Sequence, residues 1–222
     1  MTGASPAERL DEARGRIARA ARLAGRSPET ITLVAVSKTH GAEAIRPLIE
    51  AGQREFGENR VQEAQDKWPA LKAEAPDLRL HLIGRLQSNK AADAVVLFDS
   101  IHSVDRPSLV AALAEAMAKT DRRPDCFLQV NIGDEPQKGG CAVAGLPALL
   151  QASREAGLPL AGLMCIPPAD VEPAPYFALL AKLARRHVLA GLSMGMSADY
   201  ETAVTTGATH VRVGTALFGD RR

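Results

Sequence analysis

The 222 residues carry 27 basic and 26 acidic side chains, a net +1 at pH 7, so the chain lacks the electrostatic footprint of a nucleic-acid binder. Hydrophobic residues at 46% and charged residues at 24% exclude a disordered chain and match a packed globular one. Cys126, Cys141 and Cys165 form no CxxC and the five histidines no HxxxH, which argues against a disulfide framework and a zinc site. Free thiols suit a reducing compartment. Ser5 to Arg22 is polar and carries Glu8, Asp11 and Glu12, unlike a signal or transit peptide. No apolar run approaches the roughly 20 residues of a membrane span. These readings predict a cytoplasmic protein with no membrane partner and no metal.

Along the chain, Ser5 to Gly25 reads as a helix. Ser5 and Glu8 have capping-box spacing, Pro6 suits the first turn, and Leu10, Ala13, Ile17, Ala20 and Ala21 share one face. Ile31–Val36 is an apolar, β-branched run without alternation, the pattern of a strand buried on both faces. Helices are then predicted at Ala42–Ala51, Asn59–Ala73, Ser88–Leu97, Arg106–Lys119, Leu146–Ala156, Pro173–His187 and Ala198–Thr206. Strands are predicted between them at Arg54–Gly57, Arg79–Ile83, Ser100–Ser103, Cys126–Ile132, Leu160–Met164, Leu192–Met194 and His210–Val213.

Eight alternating strands predict parallel pairing with right-handed crossovers, and eight such units close into a (β/α)8 TIM barrel with an extra N-terminal helix. An open doubly wound sheet would carry a GxGxxG or GxxxxGK[ST] after an early strand, and neither occurs. No linker, repeat or low-complexity tract interrupts residues 1–222, so one domain is expected.

Special residues cluster just after the strands: Lys38, Glu58 and Asn59, Arg85 and Gln87, Asn131 with Lys138, Ser193 to Ser197, and Arg212 to Thr215. In a barrel these points share the C-terminal rim, where barrel sites are built, although any such loop also supplies polar helix caps. Loops after strands seven and eight commonly cradle a phosphate with backbone N–H groups. Gly195 and Gly214 would admit the ligand, Ser197 and Thr215 would donate hydroxyl hydrogen bonds, and Arg212 stands beside them. Met194 and Met196 are core filler on the plainer reading. Lys38 most simply ends a strand in solvent; held at a barrel mouth, its amine would form a Schiff base with a carbonyl compound. A carbonyl ligand with a phosphate handle would bridge both ends of that rim.

The motifs Val36-Ser37-Lys38-Thr39, Phe56-Gly57-Glu58-Asn59, His81-Leu82-Ile83-Gly84, Leu86-Gln87-Ser88-Asn89-Lys90, Leu192 to Ser197 and Val211 to Thr215 resemble, in order, the pyridoxal phosphate homeostasis proteins, the YggS or PROSC family. The likeness covers essentially the whole chain. It implies a barrel like the N-terminal domain of alanine racemase, carrying pyridoxal 5′-phosphate as a Schiff base on Lys38. It further implies that Asn59, Ser193, Met194, Ser197, Arg212, Gly214 and Thr215 contact the cofactor, with Lys138 a second lysine that accepts or passes it on. Arg60 stands where many relatives have Tyr, His40 replaces a frequent second Lys, and Leu80 replaces an aromatic.

Racemisation on this cofactor takes two bases, and in alanine racemases a second domain supplies a tyrosine. Here only Tyr176 and Tyr200 exist, each in or near an outer helix, and the chain ends soon after Gly219. An arginine beside the pyridine nitrogen also weakens the electron sink. The resemblance therefore predicts a monomeric carrier that holds, buffers and delivers the cofactor to apo-enzymes without catalytic turnover. The alternatives are a small racemase using Lys38, or a barrel enzyme acting on a phosphorylated metabolite.

Overall fold

The capping residues at the N-terminus act as their spacing requires: Ser5 Oγ accepts from Glu8 N at 3.2 Å, and Glu8 Oε2 accepts from Ser5 N at 2.7 Å. They open helix α1, Pro6–Leu23, which buries Leu10, Ala13, Ile17, Ala20 and Ala21. In the computed structural model, which describes residues 4–219, eight strand–helix units follow it. Strand β1 (Thr32–Val36) is followed by α2 (Ala42–Glu50), β2 (Glu55–Glu58) by α3 (Val61–Glu74), and β3 (Arg79–Leu82) by α4 (Ala91–Leu97). Next come β4 (Ser100–Val104), α5 (Pro107–Ala118), β5 (Asp125–Asn131), the two-residue β6 (Cys141–Ala142) and α6 (Leu146–Glu155). The chain continues through β7 (Leu160–Met164), α7 (Ala174–Arg186), β8 (Gly191–Met196), α8 (Tyr200–Thr205), β9 (His210–Val213) and α9 (Thr215–Phe218).

All strand pairs are parallel, and β9 returns to pair with β1, so β1 to β5 and β7 to β9 close a TIM barrel. Parallel neighbours leave both faces of each strand buried, which is why the strands read as apolar runs. Between barrel and helices lies an aliphatic and aromatic shell that includes Phe56, Trp68, Leu71, Leu80, Ile101, Leu113 and Phe177. Full burial of side chains of this size stabilises by about 1.5–3 kcal/mol each. The lumen is more polar. There the rings of His81, His102, His210 and Phe127 meet edge-on or stacked.

Several boundaries differ from the sequence reading, for local reasons. Ser88–Lys90 is a turn of 3-10 helix leading into α4. Helix α8 begins at Tyr200 rather than Ala198, because Asp199 Oδ1 takes Met196 N at 2.5 Å and holds the intervening residues in a turn. Strand β6 and helix α9 are too short to show a period. β6 pairs only with β5, outside the barrel.

Candidate functional site

The C-terminal rim holds a cavity of about 510 Å³. Lys38, Asn59, Ser197, Arg212, Gly214 and Thr215 all line it, so six of the residues singled out above meet in one place. Val36, Ile83, Gln129, Ile166 and Met196 complete much of the wall.

Lys38 lies two residues past β1, in a turn whose next residue, Thr39, has φ 67°. A β-branched residue in the left-handed region is strained and needs outside support. Helix α3 gives it: Glu63 accepts from Thr39 N, and Lys67 Nζ donates to Ser37 O at 3.0 Å and His40 O at 2.9 Å. Lys67 is anchored in turn on the fully buried Glu58 at 2.8 Å. Glu58 Oε1 also accepts from Ser37 Oγ at 2.6 Å and Trp68 Nε1 at 3.1 Å. His40 stacks on Phe218 with ring centroids 4.4 Å apart, tying the turn to α9. Within this clamp the Lys38 amine itself has no hydrogen-bond or ion-pair partner among the described residues.

The opposite wall is main chain. Gly195 has φ 93°, and a Cβ there would sit 2.5 Å from Ala203 Cβ on α8. Only glycine fits, and the strand therefore turns tightly into the following loop. Gly214 N donates to Ser197 Oγ at 3.2 Å, which locks the β8 loop to the β9 loop. The amides of Ser197, Ala198, Thr215 and Ala216 have no acceptor among the described residues. Those of Ser197, Ala198 and Thr215 line the cavity, and three such N–H groups at two loop ends form a cradle for an anion.

Arg212 is buried, yet no carboxylate among the described residues touches it. Its Nη1 donates to Ser193 Oγ at 2.7 Å and its Nη2 to Cys165 O at 2.9 Å. Burial pulls its proton affinity down, partly offset by Cys165 and Asp199. The Cys165 thiol is itself pushed up to about 12 by burial, and Cys141 to about 11, so neither is a nucleophile at neutral pH. No cluster of His, Cys, Asp or Glu suited to a metal exists among the described residues.

Three named residues stand elsewhere. Ser193 is fully buried behind Arg212 and does not line the cavity, and Met194 packs in the hydrophobic core. A break in the alternation of β8 separates the methionines: the register slips between Ser193 and Met196, where Gly195 has φ 93°, so Met194 packs in the shell whereas Met196 reaches the cavity. Lys138 sits beside Gly139, which lines the cavity, but its amine is held by Glu135 at 2.6 Å and Pro167 O at 3.0 Å. The α3 clamp escaped the sequence reading. Its signal was present in Glu63 and Lys67, an i, i+4 pair beginning four residues past Asn59.

Comparison with known proteins agrees with this architecture. Residues 9–222 match the family model of the alanine racemase N-terminal domain. A pyridoxal phosphate homeostasis protein of Pseudomonas aeruginosa is 44% identical over 97% of this chain and 95% of its own, and one of Aquifex aeolicus is 40% identical over 97% and 98%. Among solved structures, PipY of Synechococcus elongatus with PLP bound aligns with a TM-score of 0.78 at 43% identity, covering 91% of this chain and all of PipY. Alanine racemase of Clostridium difficile shares the fold at 15% identity and a TM-score of 0.69, with this chain covering 56% of it. The chain belongs to the alanine racemase N-terminal domain family and, within it, to the pyridoxal phosphate homeostasis proteins. No helix among the described residues is long and apolar enough to cross a membrane.

Proposed function

We propose that this chain is a pyridoxal 5′-phosphate-binding protein of cofactor homeostasis, which holds the cofactor in the rim cavity and releases it to apo-enzymes without turnover. The observation that carries this reading is the unpartnered Lys38 amine sharing one cavity with the unpartnered amides of Ser197, Ala198 and Thr215 and the buried Arg212 guanidinium. These groups fit the cofactor: the amides and the Ser197 and Thr215 hydroxyls would hold its phosphate, and Arg212 would donate to its ring. When bound, the cofactor supplies an aldehyde that condenses reversibly with an amine, and Lys38 is that amine. Asn59 closes the side of the cavity next to Lys38, where Gly84 approaches its backbone so closely that a Cβ would lie 2.2 Å from Asn59 O.

The wall favours holding over turnover. Its titratable side chains are Lys38, Arg85 and Arg212, with no tyrosine, histidine, cysteine or carboxylate lining it among the described residues. Racemisation needs a second base across the substrate carbon, and neither arginine serves at neutral pH. Lys138, tethered at the edge, is a candidate way-station for cofactor leaving the cavity. One barrel domain, acting as a cytoplasmic monomer, is sufficient for this role.

The test uses the full chain incubated with pyridoxal phosphate, reduced with borohydride and digested. The cofactor's mass should appear on the peptide containing Lys38, and Lys38→Ala should abolish that label. A label wholly on Lys138 overturns the assignment. Turnover of an amino-acid substrate that disappears in Lys38→Ala would instead establish the racemase-like alternative.

A further inference from the structure

A file of hydrogen-bonded side chains runs through the barrel lumen behind the cavity. Arg212 Nη1 donates to Ser193 Oγ at 2.7 Å, and Ser193 Oγ lies 2.8 Å from His102 Nδ1. His102 Nε2 lies 3.0 Å from His81 Nδ1, and His81 Nε2 lies 2.6 Å from Glu55 Oε2. The file starts on β9, passes to β8, crosses the lumen to β4, and steps through β3 to the first residue of β2. At that far end Glu55 lines a separate groove of about 500 Å³, at the end of the barrel opposite the cofactor cavity.

The inventory of donors sets the direction of the file. A guanidinium only donates, so Ser193 Oγ accepts from Arg212; because a hydroxyl has a second lone pair, the Glu55 end, where a carboxylate only accepts, decides which way the remaining bonds point. His81 gives its Nε2 proton to the Glu55 carboxylate. A ring with one proton that gives it to Glu55 leaves His81 Nδ1 to accept from His102 Nε2, and His102 Nδ1 to accept from the Ser193 hydroxyl. Every bond points the same way, and bonds aligned in this manner strengthen one another in a low dielectric. Burial, reinforced by His81, His210 and Arg212, holds His102 well below its usual proton affinity. Glu55 stays ionised: burial opposes its charge, but the bond from His81 and the nearby Arg79 outweigh it.

The other charged or titratable groups around the file are consistent with this polarity. His210 stands with its ring centroid 6.0 Å from that of His81 and 5.8 Å from that of His102, and burial keeps it neutral. Arg79 lies 3.6 Å from Glu55 and 3.4 Å from Asp125, while Asp199 acts on Arg212 without touching it. Glu55 is thus, among the described residues, the one carboxylate that hydrogen bonds join to Arg212. A buried cation with no anion in contact is costly to hold, and its surroundings must compensate.

We infer that Ser193, His102, His81 and Glu55 are positioning residues for Arg212, orienting its guanidinium at the cavity from the far end of the barrel. The inference rests on the pyridoxal phosphate reading for its consequence, and on geometry alone for the file. A substitution at Glu55 therefore changes how the cofactor is held, although Glu55 does not line the cofactor cavity.

Two measurements on the full chain decide this. First, long-range proton–nitrogen NMR of the histidine rings in the cofactor-free protein should show His81 and His102 both protonated on Nε2 only at pH 7.5. A proton on His102 Nδ1, or an imidazolium at His81, reverses the file and overturns the inference. Second, Ser193→Ala should weaken pyridoxal phosphate affinity about tenfold and Glu55→Leu about threefold, with the bound cofactor's absorbance maximum displaced in both. Glu55→Gln, which keeps an accepting oxygen, should return close to wild type. Wild-type affinity and absorbance in both Ser193→Ala and Glu55→Leu also overturn it. Failure of the unaltered chain to bind the cofactor would sink the functional reading instead, and the tautomers, read without cofactor, still decide the file.

Discussion

On the β8–β9 side of the rim the wall of the cavity is main chain: Gly195 with a positive φ near the end of β8, Gly214 N tied to Ser197, and the amides of Ser197, Ala198 and Thr215 left free. On the β1 side the wall is a lysine on a strained turn, and what holds that turn is a set of side chains from α3. The difference follows from the two tasks. An anion is met by N–H dipoles, which a loop supplies from its own backbone once glycine allows the path. A free amine must be kept clear of carboxylates, so the acids near it have to be occupied by other partners. Lys67 does this: it pairs with Glu58 and Glu63, and the Lys38 amine beside that turn is left without a partner among the described residues.

If that contrast is right, the β1 side should break through a side chain. Lys67→Met strands the buried Glu58 without its cation and removes two bonds from the Lys38 turn. It should cost about 4 kcal/mol in denaturant unfolding, with cofactor labelling at Lys38 slowed in the folded fraction. A loss within 1 kcal/mol would show that the clamp is incidental. The β8–β9 side should instead break through backbone. Gly195→Ala forces a methyl against Ala203 and an alanine into a positive φ, and should cost about 3 kcal/mol and loosen phosphate retention. Tight binding in that variant would mean the cradle does not depend on this turn.

Acid sharpens the same comparison, with a smaller effect on the β9 side. His210, the first residue of β9, is held neutral by burial, with its pKa lowered from 6.5 to about 4. Between those values the unfolded chain binds a proton that the folded chain refuses, so stability falls as pH drops from 6.5 and the loss is complete near 4. At pH 5 this amounts to about 2 kcal/mol relative to pH 7.5. His102 acts in the same direction. Unfolding curves for His210→Asn should show a shallower dependence on pH across this range. An unchanged slope would place the titration elsewhere.

Much of the cradle was legible in the residue order. Gly195, Ser197, Gly214 and Thr215 are close in sequence to the strands that carry them, and their chemistry is local: a φ above zero, a hydroxyl, a free amide. Lys38 was legible by position too. Ser193 shows the limit. Met196 and Ser197 of the same motif reach the cavity while Ser193 turns into the lumen toward Arg212 and His102, because β8 faces β4 across the closed barrel. The histidines gave no spacing signal, since His81, His102 and His210 lie on three different strands and meet only when the barrel closes.

Short-range order along the chain therefore determined the helix caps, the buried strands, the eightfold alternation and the glycine turns, since each depends on residues within a turn or two of one another. Partnerships were decided by closure of the barrel. Which acid takes Lys67, why the Lys38 amine stays free, and how Arg212 connects to Glu55 all join residues on separate strands and helices, and no local energy term contains those distances.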